Sequence, residues 1–329
     1  MDSHLKYRVL PSAAIDIGSN TIRLLIGNIQ NNRIRHILCE RKITRLAEGI
    51  NQFRILRDDR IEASITVLKE FALIIQRNRV KTVSAVATSA IREAFNADAF
   101  IEKVRAETGI SIKVIEGEKE AELTLKGMLS SFPDSPPNNY NSVLIIDIGG
   151  GSTEWILCNN KNPVTMGSIP VGVIKLLETF IKTDPVSEAD ISALNREILS
   201  SLEILEKSIR TQVDKETRFI GTAGTFSTLA SIDLHLEMYS REKMHLHKIP
   251  LNRLLDIRDR LAALPLRERM NVVGLEADRA DLIIPGIHFT INVMERFGFD
   301  ELTVSEYGLL EGVFLETLKE RDEKNIPAA

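Results

Sequence analysis

Three short turns in the chain have the composition of phosphate cradles: Gly18-Ser19-Asn20-Thr21, Gly149-Gly150-Gly151-Ser152-Thr153 and Gly221-Thr222-Ala223-Gly224-Thr225. Glycine carries no Cβ, so an anion can approach the main chain, where successive N–H groups converge on it. Two of the turns begin two residues after an acid, Asp16 and Asp147, each at the end of an apolar run. A carboxylate beside phosphate is repulsive unless a divalent cation lies between them. Mg²⁺ suits this chemistry, because it keeps most of its water and takes one or two carboxylates plus phosphate oxygens. We therefore expect Asp16 and Asp147 to bind Mg²⁺ between two phosphate turns, with Glu154 holding a metal-bound water.

Hydrolysis also needs a base. Gly117-Glu118-Lys119-Glu120-Ala121-Glu122 offers three carboxylates at the start of an expected helix, and residue types alone do not choose among them. Residues 31–60 and 239–269 each carry eight Lys/Arg against four Asp/Glu, so either stretch could line a channel for a polyanion. His245-x-His247 has no third ligand at matching spacing and reads as surface histidines. Trp155 sits on an expected strand and reads as core.

These residues need strands that end on a turn. Residues 13–27 read as strand, turn, strand, and the alternation over 33–38 adds a third strand. Ile61, Ile65, Leu68, Ala72 and Ile75 form a helical stripe, and a strand is expected over 80–87. A short helix (100–107), a short strand (112–115) and a helix (118–129) follow. The run 130–139, with three prolines, breaks the chain. Residues 143–157 then repeat the opening pattern, Asp147-Ile148-Gly149 matching Asp16-Ile17-Gly18, which indicates an internal duplication. Ser187 and Asp190 suggest a capping box before a long apolar stripe ending at Ile209. A helix is expected after the third turn, another over 279–297 with a kink or restart at Pro285, a strand over 302–305 and a terminal helix over 309–319.

With 329 residues, 43% of them apolar, the chain can bury a sizeable core in two domains. A net charge of −4 argues against a general nucleic-acid binder, and the lack of a long apolar run argues against a membrane span. Two cysteines make no disulfide framework, and with no targeting segment evident a cytoplasmic setting is expected.

The segments AAIDIGSNTIRLLIG, VATSAIREAFN, VIEGEKEAEL, LIIDIGGGSTEW, GTAGT and SEYGLLEG, in this order from Ala13 to Phe314, resemble the exopolyphosphatase/guanosine pentaphosphate phosphohydrolase (Ppx/GppA) family. That family lies within the acetate kinase–sugar kinase–heat-shock protein–actin superfamily. The resemblance implies an α/β fold of two ribonuclease H-like (actin-like ATPase) domains with the active site in the cleft between them. The domains would span 1–126, joined by the C-terminal helix 309–320, and 127–308, with closure hinged near 126–139. It implies removal of the terminal phosphate from polyphosphate, or of the 5′-terminal phosphate from guanosine pentaphosphate, and leaves a homodimer open. It makes Glu120 the catalytic residue and Arg92 a phosphate ligand. Lys119, Glu122 and Leu310 depart from the family pattern. An ATP-dependent phosphotransferase of the superfamily, or a non-catalytic sensor of polyphosphate or guanosine tetraphosphate, would share most of these motifs.

Overall fold

The computed structural model describes residues 11–31, 33–132 and 141–324. Most of the proline-rich break lies outside them. The chain builds two sheets of the same design. The first joins β1 (Ser12–Ile17), β2 (Thr21–Gln30), β3 (Arg33–Ile43), β4 (Thr82–Ala87) and β5 (Ile112–Val114) in the order β3-β2-β1-β4-β5. The second joins β6 (Ser142–Ile148), β7 (Thr153–Asn159), β8 (Asn162–Ile169), β9 (Arg218–Thr222), β10 (Lys248–Pro250) and β11 (Glu301–Ser305) in the order β10-β11-β9-β6-β7-β8. Apart from the added edge strand β10, the second order mirrors the first. In each sheet a three-stranded antiparallel meander is followed by parallel strands. The duplication read from the Asp-Ile-Gly repeat is thus a duplication of topology.

Strand periodicity aims the acids. In β1, Ala13, Ile15 and Ile17 enter the large core under the helix Asp58–Arg77, whose Leu68 and Phe71 are fully buried. Ala14 faces the opposite way, onto Leu309, Val313 and Phe314 of the helix Leu309–Lys324. Asp16, two residues on, shares the face of Ala14. In β6, Leu144, Ile146 and Ile148 go to the large core, while Val143 and Ile145 pack on Ala121 and Leu125 of the helix Gly117–Leu129. Asp147 shares that face. Both acids therefore look toward the two helices that pass between the sheets.

Those two helices meet at backbone contact. A Cβ at Gly312 would overlap the Leu123 carbonyl oxygen, so the first turns of the Leu309–Lys324 helix lie flat against the helix that carries Glu120. Helix ends follow their charges: Asp58 and Asp59 open one helix and Arg77 closes it.

Several expectations need correction. β3 runs to Ile43 rather than ending near residue 38, with a bulge at Ile26/Gly27. The helix expected over 279–297 begins only at Ile283, after a 3₁₀ turn at Ala277–Arg279, and Pro285 is its third residue, where the missing N–H would have had no intrahelical acceptor. Ser187 accepts from the Asp190 N–H at 3.2 Å, but the Asp190 carboxylate turns back to Lys182 and Thr183 instead of closing the box. The strand β8 and the helices Val173–Phe180 and Leu251–Ala262 were not anticipated.

Candidate active site

A cavity of about 310 Å³ opens between the sheets, lined by Gly18–Thr21, Gly149–Ser152 and Thr222–Thr225 together with Asp16, Glu120 and Asp147. The two hairpin turns abut: a Cβ at Gly150 would stand 2.8 Å from Ser19 Cβ, and one at Gly151 would overlap Ser89 Oγ. Only glycine lets the second turn come this close to the first.

Each hairpin turn is anchored from behind. Ser19 O accepts from Ala47 N–H at 2.8 Å, and Asn20 O accepts from Thr44 and Arg45 at 3.0 Å. Gly149 O and Gly150 O accept from Val173 and Ile174, the first residues of a helix, at 3.0 and 2.9 Å. With these carbonyls engaged, the turns present donors to the cavity. The third turn enters the helix Gly224–Asp233 through Ala223, whose φ of 72° is a strained value for a non-glycine. The Arg279 guanidinium lies against Gly224.

Not every expected ligand reaches the cavity. Thr153 is fully buried and donates to Val171 O at 2.7 Å. Gly221 faces the Phe226 ring. Glu154 is also fully buried, one strand behind the wall, where it accepts from Ser168 Oγ at 2.7 Å. Arg92 does not line the cavity; it donates to Ile115 O at 2.6 Å and approaches Glu120 Oε2 at 3.5 Å. Strand alternation in β7 turns Thr153 away from the opening, whereas Glu154 shares the face of Asp147, its cross-strand partner, and is set back from the opening by one strand.

Sequence reasoning missed the cavity's arginines, Arg23, Arg41, Arg241 and Arg279. Arg41 and Arg241 come one each from the two basic stretches. Arg23 was legible in principle, as it stands directly across the hairpin from Asp16. It binds that carboxylate through two nitrogens, at 2.6 and 2.8 Å. The histidines are not solvated surface groups: His247 pairs with Asp233 at 2.7 Å, and His245 lies 4.9 Å from the Tyr307 ring centroid and accepts from Glu306 N–H. Trp155 is buried as expected.

The remaining acids are only partly compensated by cations, so burial favours their protonated forms. Burial, then the neighbouring Glu154 and Asp147 carboxylates, push Glu120 well above the usual carboxylate range, with Arg92 pulling the other way. Burial and Asp147 likewise raise Glu154. Burial raises Asp147 to about 6, against the attraction of Arg23. It accepts a long side-chain hydrogen bond from Thr124 Oγ1, 3.5 Å.

These residues fit a divalent cation. Four arginines (23, 41, 241, 279) face six carboxylates (16, 40, 120, 147, 306, 311) in the cavity, so a phosphate chain would enter a net acidic space. Asp16 Oδ1 is buried with no hydrogen-bond partner among the described residues. No group of three or more His, Cys, Asp or Glu among those residues is close enough to hold a metal by itself. That suits Mg²⁺, which completes its shell with water and phosphate.

Fold and cavity together define an actin-like, two-unit α/β protein whose cleft is walled by turn donors and buried acids. The chain belongs to the Ppx/GppA phosphatase family, whose model matches residues 25–321. It is 33% identical over 320 residues to a bifunctional 3-dehydroquinate synthase/phosphatase from Fusobacterium nucleatum, covering 94% of this chain but 47% of that relative. It is 30% identical to exopolyphosphatase 2 of Mycobacterium tuberculosis, covering 92% and 97% of the two chains. A guanosine-5′-triphosphate,3′-diphosphate pyrophosphatase from Aliivibrio fischeri is 28% identical over 92% of this chain and 58% of its own. Among solved structures, an exopolyphosphatase from Cytophaga hutchinsonii superposes with a TM-score of 0.86 at 32% identity, covering 94% and 98%. The family resemblance and the two-unit α/β fold expected from the sequence are both borne out.

Proposed function

We propose that this chain hydrolyses terminal phosphoanhydride bonds, releasing orthophosphate from the end of inorganic polyphosphate, from the 5′ end of guanosine pentaphosphate, or from both. The observation that carries this reading is Glu120: a buried carboxylate, held basic by its neighbours, in the same cavity as both phosphate turns. The names of the relatives, an exopolyphosphatase and a guanosine pyrophosphatase, support the substrate class.

The turns at 18–21 and 149–152 hold the terminal phosphate through N–H and hydroxyl donors. Glu120 accepts a proton from water as its oxygen attacks the terminal phosphorus, and the bridging oxygen leaves with the bonding electrons. Arg92 orients Glu120. Asp16 and Asp147 would hold Mg²⁺, which neutralises charge on the phosphate oxygens. Glu154 acts from behind, keeping Glu120 basic. Free thiols at Cys39 and Cys158 fit a reduced, cytoplasmic setting, and no described helix is long and apolar enough to cross a membrane.

Membership in a phosphatase family and the retention of Glu120 favour hydrolysis over transfer to an acceptor or mere sensing. Two of the departures from the family pattern stay off the cavity: Lys119 pairs with Glu122 at 2.8 Å and with Glu316 at 3.6 Å. Leu310 does line it. The test is orthophosphate release, with and without Mg²⁺, from long polyphosphate, short polyphosphate and guanosine pentaphosphate. Mg²⁺-dependent release from at least one is expected; release from none contradicts the proposal.

A further inference from the structure

The helix Val173–Phe180 and the second phosphate turn form one packed piece. The helix's first N–H groups hold Gly149 O and Gly150 O, and Ile174 packs on Gly150. A Cβ at Gly172, just before the helix, would stand 2.4 Å from the Gly150 carbonyl carbon. Where this helix goes, the turn goes with it.

The helix is fastened to the first unit at two points. Near its start, Lys175 Nζ donates to Glu93, at 2.8 Å to Oε2 and 2.9 Å to Oε1. Near its end, Glu178 accepts from the Gly49 N–H at 2.7 Å and from Asn51 Nδ2 at 2.9 Å. Glu93 has a second partner. It accepts from Ser89 Oγ at 2.7 Å, and Ser89 is the buried hydroxyl against which Gly151 closes. Glu93 ends the short helix Ser89–Glu93, and its neighbour there, Arg92, is the donor that approaches Glu120. The ion pair therefore joins the helix behind the second turn to the helix that orients the base. Its side chains are only 19% and 25% exposed, so water screens it less than a surface pair.

We propose that Lys175 and Glu93 are a positioning pair, which sets the spacing of the two phosphate turns and their placement relative to Glu120. Neither residue lines the cavity, so neither touches the reacting atoms. The pair acts through others: Lys175 through the helix that holds Gly149 and Gly150, Glu93 through Ser89 and the helix it shares with Arg92. Each partner belongs to a different sheet's unit, so breaking the bond leaves the ladders of both sheets whole and loosens only their alignment. This inference rests on the phosphatase reading and adds the contact between units on which the grip on the terminal phosphate depends.

The experiment measures KM and kcat for orthophosphate release from inorganic tripolyphosphate, with the thermal midpoint of each variant. Lys175→Met and Glu93→Gln are each expected to raise KM about tenfold, the loss typical of a charge-assisted hydrogen bond, with a smaller change in kcat. The double variant is expected to raise KM no further than the larger single effect, because both remove the same bond. Lys175→Arg keeps the charge and is expected to hold KM within about threefold of wild type. A merely structural role would lower kcat and the thermal midpoint at unchanged KM. Unchanged KM in the single variants, or KM effects that multiply in the double variant, overturns the positioning pair while leaving the phosphatase reading standing. If wild type releases orthophosphate from no phosphate compound, that reading fails instead, and the same four variants are read on the Kd of tripolyphosphate by calorimetry, with the same expectations.

Discussion

The two halves of the molecule open on the same strand-turn-strand unit, yet treat their acids in opposite ways. In the first half the residue paired across the hairpin from Asp16 is Arg23, and the carboxylate is neutralised by it. In the second half the residue paired across from Asp147 is Glu154, and acid faces acid. The two pairs occupy equivalent positions in equivalent sheets. One substitution of type within a duplicated frame has made the first unit an electrostatically settled holder and the second a buried cluster of negative charge. Glu120, delivered by the helix between the units, joins that cluster. The asymmetry leaves the second half incomplete without positive charge, which a divalent cation and a proton on the carboxylates can each supply.

The largest effect should come from the acid that the first half has no counterpart for. Glu120→Gln removes the base while keeping its shape, so turnover is expected to fall about a hundredfold or more with substrate affinity largely retained, as read by steady-state kinetics and calorimetry. Near-normal turnover would remove Glu120 from the mechanism.

The two halves should then respond to mutation with opposite signs. Arg23→Gln leaves Asp16 buried without its partner and is expected to destabilise the fold by about 3 kcal/mol in urea denaturation. Glu154→Gln removes a buried, unneutralised charge and is expected to stabilise it by about 1 kcal/mol or more at pH 8. The same sign from both would erase the distinction between the halves.

A pH profile sharpens the point. Asp147 and Glu154 have folded-state values above their unfolded ones, so the folded state holds protons that the unfolded state has released. Stability should therefore fall as pH rises from the ordinary carboxylate range through about 6, where Asp147 titrates, and on through the higher value of Glu154. Glu311 behaves oppositely. Burial opposes its ionisation, yet bonds from His36, Arg241 and the Gly308 N–H hold it down to about 2, so its contribution is lost as acid takes the pH below the ordinary glutamate range. Glu154→Gln should flatten the upper limb and leave the acid limb alone.

The smallest effect is expected on the helix surface. Restoring the family's charge order with Lys119→Glu and Glu122→Arg should change stability by less than about 1 kcal/mol, because the ion pairs of Lys119 with Glu122 and Glu316 are partly exposed.

The turns, the two strand-end acids and the duplication were legible in the sequence because each is a local pattern. A glycine turn after an apolar strand needs no tertiary contact to be recognised. What the sequence obscured depends on direction and on distance. Thr153 and Gly221 belong to turn motifs by composition, but strand alternation and the Phe226 ring take them out of the cavity. Arg92 sits in the right segment and spends its donors on Ile115 O and Glu120. Arg279 reaches the third turn from 55 positions away in sequence, 224 against 279, through packing that no spacing rule foretells. β8 escaped notice because its half-exposed residues include a proline and a glycine and lack clean alternation.

The claim that the second half buries uncompensated acid beside Glu120 can be tested without substrate. Carboxyl-carbon NMR on protein labelled at Asp and Glu, titrated in the absence of divalent cations, should show Asp147 titrating near pH 6 and Glu154 above it, assigned with the Asn and Gln variants. If both carboxyls instead titrate in the range of exposed side chains, the second half holds its acids as comfortably as the first, and the account fails.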